Sequence, residues 1–354
     1  MDLPFAFEKI SSGRSIIGRG EQISKAISTI ADSKKGISVY DTPRSGKETF
    51  VREVLSGLKA RNASYLFCEL DLFNTRTSTE FVTLLKEIIR ECYRGAVKKT
   101  ILPFDIDFDS LSKRNVLELP EVLAQETGTT MVLYVKEFQN VATFDDDKDL
   151  KVDTIDKVWS KHRNVRYILT GSSLNTMKYL FEERRFFHSA TVNISLPPLD
   201  RRTVCEYISS TFLNTGRVIE SEEALEIYTI TGGNMWYVKQ MCAMCYAFPA
   251  GYINRTVVRQ AREQLLSVHS ANFLRVMFDL TSNQINLLRA VVDGVSRFSS
   301  AEIIERYNLN SSANVFRIKE ALVKKEVITF DDEERAHIQD PLFEYWLRNY
   351  YFAK

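Results

Sequence analysis

The sequence predicts an α/β fold built on a five-stranded parallel sheet, followed by a helical segment and a winged-helix domain. Short apolar runs alternate with helical patterns over the first two hundred residues, which indicates strands that helices cover on both faces. Beyond residue 199 only helical periodicity remains, as far as residue 270. The remainder has the pattern of three helices and a hairpin. We therefore expect three domains, at residues 1–199, 200–270 and 271–354.

Five apolar runs of Val, Ile, Leu and Tyr predict the strands of the sheet. They lie at residues 36–40, 65–70, 131–135, 165–169 and 191–196. Helical patterns separate them, and between residues 79 and 93, for example, apolar residues recur with the 3.6-residue period. We expect the first strand to be central in the sheet and to lie beside the third.

The carboxy-terminal segment has the element order of a winged helix. Its three helical patterns occupy residues 282–292, 300–307 and 312–325, and two strand patterns at 327–330 and 335–338 flank an acidic turn. Ser282 is placed as the cap of the first helix, and Asp340 followed by Pro341 predicts the start of a last helix.

Composition narrows the class of protein. Lys and Arg total 47 and Asp and Glu total 46, so the formal net charge is +1. A protein surface that binds nucleic acid is basic, so the net charge gives no support for nucleic-acid binding. No stretch of about 18 apolar residues occurs, so we expect no transmembrane helix and no membrane partner. The first ten residues lack the apolar core of a signal peptide.

An odd number of cysteines, five, indicates reduced thiols, and we expect a cytoplasmic location. Cys242 and Cys245 lie in a helical pattern, which favours packing over metal binding.

The loop after the first strand has the context of a phosphate-binding P-loop, because a strand leads into Gly46-Lys47 and a helical pattern follows. In the motif G-x-x-x-x-G-K-S/T, backbone N–H groups and the Lys bind phosphate, and the Ser or Thr hydroxyl binds Mg²⁺. Here Asp41 replaces the first Gly and Glu48 replaces the Ser or Thr. On the loop alone, an ordinary helix N-terminus remains an equal alternative.

The third and fourth strands favour the P-loop interpretation. The third ends in Lys136-Glu137, where a Walker B strand ends in Asp-Glu, so Lys136 replaces the acidic residue that serves Mg²⁺ and Glu137 remains. The fourth strand is followed by Ser172, at the position of a polar residue that senses the γ-phosphate.

Several short motifs, in this order and spacing, carry a family resemblance. They are Gly-Arg-Gly-Glu at 18–21, Lys-Glu-Phe-Gln at 136–139, a strand ending in Gly-Ser at 167–172, Thr-Gly-Gly-Asn-Met at 231–235 and Asp-Pro-Leu-Phe with a following Trp at 340–346. The chain resembles the archaeal-type and STAND-related ATPases of the AAA+ group, which carry a C-terminal winged helix.

The resemblance implies ATP or ADP binding and a winged helix that moves as a nucleotide-controlled arm. It implies these nucleotide-binding residues: Arg19, Glu21, Pro43, Arg44, Ser45, Gly46, Lys47, Glu48 and Thr49. Glu137 would be the general base and Ser172 the sensor. Arg184 or Arg185 would lie where a finger-type arginine occurs, with surface arginines as the alternative.

The departures from the family pattern concern magnesium. Glu48 and Lys136 occupy the two lost Mg²⁺ positions, so we expect no protein-bound metal, weak nucleotide binding and lost or very low ATP hydrolysis. We expect Glu48 and Lys136 to form a salt bridge. The alternatives are that Lys47 turns back onto Asp41 or Glu48, or that all four charges point into solvent.

Function thus remains open between three classes. The first is an impaired ATPase that acts as a regulatory or protein-interaction switch, with an unidentified protein partner or a second copy of the chain as partner. The second is an active ATPase. The third is a winged-helix DNA-binding regulator, which the acidic turn at 331–334 disfavours, since residues 271–354 hold 11 Lys or Arg against 12 Asp or Glu.

Overall fold

The computed structural model of the protein describes residues 4–7, 17–61, 64–97, 111–144, 146 and 150–353. These residues form two compact units. The sheet unit comprises residues 12–43 and 47–196, and the helical unit comprises residues 1–11, 44–46 and 197–354. The three-domain division stays a prediction.

The sheet unit contains the predicted five-stranded parallel sheet. Its strands are β1 (Gly36–Tyr40), β2 (Tyr65–Asp71), β3 (Thr130–Lys136), β4 (Val165–Gly171) and β5 (Thr191–Asn193). They are ordered β2-β3-β4-β1-β5, and every pairing is parallel. The fold class predicted from the alternation of apolar runs and helices is confirmed.

Helices cover both faces of this sheet. They are α1 (Gly20–Ala31), α2 (Lys47–Arg61), α3 (Ser78–Val97), α4 (Lys113–Thr127), α5 (Val152–Trp159) and α6 (Leu174–Lys178), with a 3₁₀ turn at Phe138–Thr143 and a π turn at Tyr179–Glu183. One apolar core joins α1 and α2 to one face, and a larger core joins α3, α4 and α5 to the other. This double coverage explains why β1 and β4 are buried at every position.

The predicted neighbour of β1 was wrong. Strand β4, not β3, lies beside β1 and separates the two, and β4 rather than β1 is the central strand of the five. Strands β1 and β4 are both buried on both faces, so apolar content alone cannot rank their places in the sheet. Residues at the start of α2 can still approach β3, because α2 packs on the face that Val132, Tyr134 and Ile168 help to form.

The helical unit begins with four helices: α7 (Arg201–Asn214), α8 (Ser221–Thr231), α9 (Met235–Ala247) and α10 (Arg255–Phe278). Two short strands, β6 (Val218–Ile219) and β7 (Tyr252–Ile253), pair in parallel among them. The helical periodicity did not predict this pair. Cys242 and Cys245 are both buried in α9, as their helical pattern predicts.

The winged-helix elements follow. They are α11 (Ser282–Val292), α12 (Ala301–Arg306), α13 (Ser312–Lys324), the antiparallel pair β8 (Ile328–Phe330) and β9 (Ala336–Ile338), and α14 (Pro341–Trp346) with a π turn at Leu347–Tyr351. Helix α11 is capped by Thr281 rather than Ser282, and Thr281 and Gln284 form a reciprocal capping box. Asp340 caps α14 as predicted.

Two of the cysteines depart from the expectation of reduced thiols. Cys68 of β2 and Cys92 of α3 form a disulfide, with Cα atoms 6.4 Å apart. Helix α3 packs against the sheet in the larger core, which places the two side chains face to face. Cys205, Cys242 and Cys245 are free.

A bilayer-spanning helix would need a longer apolar run than any helix in the described part of the chain offers.

Gly36 offers a test of the strand order. A Cβ added there would lie 2.3 Å from the backbone oxygen of Tyr167, which cannot move without disturbing the β1–β4 pairing. We expect Gly36→Ala to lower the free energy of unfolding by roughly 2–3 kcal/mol, measured by urea denaturation.

Gly95 of α3 is the matched control, since an added Cβ there meets no atom within 4 Å. Gly95→Ala should be neutral or stabilising by up to about 1 kcal/mol, because Ala has the higher helix propensity. Equal effects of the two substitutions would contradict the packing described for β1 and β4.

Candidate functional site

The predicted site residues of the sheet unit converge on the carboxyl edge of the sheet. Asp41 follows β1, Lys136 ends β3, and Glu137 comes directly after it. Ser172 follows β4, and Lys47 begins α2. The carboxyl ends of parallel strands meet at one edge, and this edge is where ligands bind in open α/β sheets.

Lys47 is buried and turned toward its own loop. Its side chain is only 9% exposed, and its Nζ donates to the backbone oxygens of Asp41 at 2.9 Å and Thr42 at 2.7 Å. Burial lowers the pKa of Lys47 to about 8, although the nearby carboxylates of Asp41 and Glu137 oppose the shift. Lys47 thus turns back onto Asp41, as one of the predicted alternatives has it, and contacts the backbone oxygen of that residue.

Asp41, which replaces the first glycine of the motif, is held locally. The backbone N–H of Thr42 donates to its Oδ1 at 2.7 Å. Burial raises the pKa of Asp41, while that hydrogen bond and the cations Lys47 and Arg19 act in the opposite direction. Burial also lowers the pKa of Arg19, against the influence of Asp41. Arg19 and Lys47 thus both offset the charge of this carboxylate.

The predicted salt bridge between Glu48 and Lys136 is confirmed. Lys136 Nζ lies 3.0 Å from Glu48 Oε1. The same ammonium lies 2.5 Å from Glu69 Oε1, and Arg52 NH2 lies 3.0 Å from Glu48 Oε1 and 3.9 Å from Glu69 Oε1. These four residues, Glu48, Arg52, Glu69 and Lys136, form a closed ring of two cations and two anions, here called the ion cluster.

The pKa shifts of Glu48 and Lys136 each favour the charged form of the side chain. Burial alone would raise the pKa of Glu48, but hydrogen bonds from Lys136 and Arg52 outweigh it and lower that pKa. Burial alone would lower the pKa of Lys136, but its bonds to Glu69 and Glu48 raise it. Lys136 is the most enclosed member, with 16% of its side chain exposed against 43% for Glu48.

Sequence reasoning missed two members of the ion cluster. Arg52 was detectable, because Glu48 and Arg52 are four residues apart on one helix face. Glu69 interrupts an otherwise apolar strand, yet its contact with Lys136 depends on β2 lying beside β3, where Glu69 pairs with Tyr134.

Glu137 and Ser172 lie in hydrogen-bond contact, and their roles as base and sensor stay predictions. Ser172 Oγ donates to Glu137 Oε2 at 2.5 Å, and Gln139 Nε2 donates to the same oxygen at 2.6 Å. Glu137 adopts a left-handed backbone, with φ of 51°. A Cβ on Gly171 would lie 2.6 Å from Gln139 Oε1, so only glycine leaves room for this network.

The remaining predicted residues are more dispersed. Arg44, Ser45 and Gly46 count with the helical unit, within which the Arg44 guanidinium lies 3.9 Å from the centroid of the Trp236 ring. Gly46 has a φ of 91°, which suits glycine. Glu21 is exposed in the first turn of α1, Pro43 is exposed in the loop between β1 and α2, and Thr49 is half-buried in the first turn of α2. The nucleotide roles of all these residues stay predictions.

The described residues include no group of three or more His, Cys, Asp or Glu side chains arranged to hold a metal ion.

A family model supports the winged-helix domain at the carboxy-terminal end of the described chain. Residues 271–349 match the family model of a probable winged helix domain. A search of curated proteins found no match.

Three of the solved structures similar to this chain come from archaea. A Walker-type ATPase of Pyrococcus abyssi has a TM-score of 0.71 at 17% identity, covering 97% of this chain and 99% of that chain. The ORC2 protein of Aeropyrum pernix, solved as ADPNP-ADP complexes, has a TM-score of 0.62 at 14% identity, with 96% and 95% covered. The ORC1 protein of Aeropyrum pernix in complex with DNA has a TM-score of 0.51 at 13% identity, with 94% and 93% covered.

At these identities the likeness shows the fold. The chain has the five-stranded parallel sheet of P-loop ATPases and a C-terminal winged-helix domain.

A double-mutant cycle on Glu48→Gln and Lys136→Met tests whether the ion cluster stabilises the sheet unit. We expect a coupling free energy of about 1 kcal/mol or more, because several charges form one network and Lys136 is largely shielded from water. Urea denaturation of the four proteins gives this value.

Asp153 and Lys157 form the matched control pair, with Nζ and Oδ2 2.5 Å apart but 72% of the Lys157 side chain exposed. Their coupling should be about 0.3–0.5 kcal/mol. A coupling near zero for Glu48 and Lys136 would mean that this salt bridge contributes nothing to stability.

Proposed function

We propose that this chain is a nucleotide-binding regulatory protein that binds ATP or ADP without supporting Mg²⁺-dependent hydrolysis, and that it acts on a protein partner. The observation that carries the proposal is the ion cluster, in which the Lys136 ammonium lies between two carboxylates. Two members of the ion cluster, Glu48 and Lys136, occupy the motif positions whose side chains bind magnesium, directly or through water, in an active P-loop ATPase.

Magnesium does not fit the residues at these positions. A divalent cation about 4 Å from an ammonium group meets a repulsion of about 8 kcal/mol at an effective dielectric of 20. Glu48 and Glu69 could in principle attract a metal ion, but each already accepts from Lys136. Hydrolysis relies on the metal to neutralise charge that develops on the phosphates, so turnover is expected to be lost or very low.

Phosphate binding does not need the metal positions. Lys47 supplies a cation at the start of α2, where backbone N–H groups and the helix dipole also favour an anion. A phosphate group would take the place of the two carbonyl oxygens that Lys47 now contacts. Asp41 works against this, which is why we expect weak binding. The nucleotide complexes named for the Aeropyrum pernix ORC2 protein support the same assignment here.

The candidate base is also restrained. Glu137 Oε2 accepts from both Ser172 and Gln139, so activating a water would require this oxygen or its partner to be released from that network. This arrangement suits a site that detects a nucleotide better than one that hydrolyses it.

The wing, which is the β8–β9 hairpin with its acidic turn at 331–334, favours a protein partner over DNA for the winged helix. Asp331 Oδ2 accepts from Arg335 Nε at 2.9 Å and lies 2.8 Å from His337 Nε2, while Arg335 NH1 lies 2.9 Å from Glu333. The hydrogen bonds from these neighbours lower the pKa of Asp331, so it remains ionised. The cations of the wing are therefore engaged by its own carboxylates and not available to phosphates.

The central test is calorimetric titration of the full chain with ATP and ADP, in EDTA and in Mg²⁺. We expect similar affinity in both solutions, loss of binding in Lys47→Ala, and no Mg²⁺-dependent phosphate release above that of Lys47→Ala. Mg²⁺-dependent phosphate release by the unmodified chain would establish the active-ATPase alternative, and absence of any binding would overturn the proposal.

The double variant Glu48→Thr with Lys136→Asp is the complementary control. It restores the residue types that serve magnesium, so its nucleotide affinity should become stronger in Mg²⁺ than in EDTA.

Nucleotide affinity should also depend on pH through Lys47. Its pKa of about 8 in the free protein means that the ammonium is charged at pH 7 and loses its proton as the pH rises through 8. We expect the dissociation constant to increase above pH 8 by up to roughly tenfold per pH unit, until the pKa of the bound state is reached. Titrations between pH 6.5 and 9.5 measure this, and the increase should be absent in Lys47→Arg, whose guanidinium stays charged over this range.

A further inference from the structure

A second charged site lies at the opposite edge of the sheet from Lys47. Lys35 directly precedes β1, Lys161 follows α5, and the segment 185–189 leads into β5. These segments line a cleft of about 650 Å³. Its lining residues, which define the basic cleft, are Lys35, Asp156, Lys157, Ser160, Lys161, Arg185, His188 and Ser189.

The positive charge of the basic cleft is largely uncompensated. Its single carboxylate, Asp156, accepts from the backbone N–H of Phe187 at 2.9 Å and from Ser160 Oγ at 2.6 Å. Lys157 is paired with Asp153. Within the described ranges of the chain, the side chains of Lys35, Lys161 and Arg185 make no hydrogen bond or ion pair.

The segment that carries Arg185 is held in place. Phe187 is buried in the larger core with 1% of its surface exposed, and its N–H is bound to Asp156. Arg185 and Phe187 both have a left-handed backbone, with φ of 55° and 58°. Non-glycine residues adopt this conformation at a cost, and surrounding packing must maintain it. Arg185 and His188 are thus presented from a fixed loop on either side of a buried anchor.

Helix-end electrostatics explain only part of this cluster. Lys161 lies just beyond the C-terminus of α5, where a cation interacts favourably with the helix dipole. That account does not extend to Lys35, which comes from the loop between α1 and β1. Lys35, Lys161 and Arg185 come from three separate segments and line one cleft. An anion bound there would offset the repulsion between these cations.

The chemistry of the lining identifies the anion class. All eight lining residues are charged or polar, so the basic cleft lacks the apolar anchors on which protein interfaces rely. Lysine, arginine and serine side chains are the groups that contact the phosphates of nucleic acids. The cations are exposed along the cleft rather than enclosed, which suits an extended polyanion.

We propose that the basic cleft binds the phosphodiester backbone of a nucleic acid. The basic cleft shares no residue with the P-loop or with the winged helix, so the proposal stands independently of the proposed function. Contacts of this kind go to phosphates and carry no base sequence information, so binding is expected to be non-specific and strongly dependent on salt.

Fluorescence anisotropy with labelled duplex and single-stranded DNA tests the proposal on the full chain. The charge-reversal pair Lys161→Glu with Arg185→Glu should weaken binding at least tenfold. It should also reduce the slope of log affinity against log salt by about 2 for duplex DNA, since two phosphate contacts are removed. Thermal melting of the variant checks that it folds.

The matched control is Lys25→Glu with Lys59→Glu, which makes the same change in net charge at exposed lysines of α1 and α2 outside the cleft. It should leave the salt slope unchanged. An equal loss in both pairs, or an unmodified chain that does not bind either DNA, would overturn the proposal.

Two further arms separate other sites and ligands. The variant Arg317→Glu with Lys324→Glu changes α13, and if it alone abolishes DNA binding, the site is the winged helix and the proposal fails. Competition by poly-glutamate as effective as that by unlabelled DNA would assign the cleft to acidic polypeptides and would also overturn it. Pyrophosphate should compete only weakly, because it offers a single phosphate cluster.

Discussion

A parallel sheet that is buried on both faces leaves only the two ends of its strands open to solvent. In this chain β1 and β4 are buried at every position, with α1 and α2 on one face and α3, α4 and α5 on the other. Most charged groups of the sheet unit therefore lie at a strand end or on a helix surface, and Glu69 is exposed on the edge strand β2. The carboxyl edge collects Asp41, Lys136 and Ser172 for this reason, and the amino edge collects the residues of the basic cleft.

Charge neutrality governs the chemistry of the carboxyl edge. The ion cluster contains two cations and two anions, and its hydrogen bonds lower the pKa of Glu48 and raise that of Lys136, which favours the charged form of each although Lys136 is largely enclosed. The pair of Lys47 and Asp41 beside it is likewise balanced, with Arg19 adding further compensation. Because the charges of this site offset one another, the site can fold without a metal ion or a nucleotide to neutralise them.

The sequence predicted the local structure of this protein more closely than its long-range arrangement. The five strands, the winged-helix elements and the Glu48–Lys136 bridge followed from periodicity and from motif positions that converge on one point. The place of β4 between β1 and β3, and hence the approach of Glu69 to Lys136, depends on pairings that a single strand does not encode. The β6–β7 pair is two residues long on each side, too short for any pattern. Thr281 and Ser282 are adjacent hydroxyl residues, and only the capping box with Gln284 distinguishes them.

Under the proposed function, in which positions 48 and 136 do not serve magnesium, the ion cluster also limits the substitutions by which this site could bind the metal. Replacing Lys136 alone by Asp would bring three carboxylates together, at positions 48, 69 and 136, with only Arg52 to offset them. Replacing Glu48 alone by Thr would leave Lys136 at the metal position and remove one of its two acceptors. Either first step passes through an unbalanced site, so the return to magnesium chemistry requires two changes whose benefits appear only together. If positions 48 and 136 do not serve magnesium, as we propose, the salt bridge makes it difficult for single substitutions to restore magnesium binding.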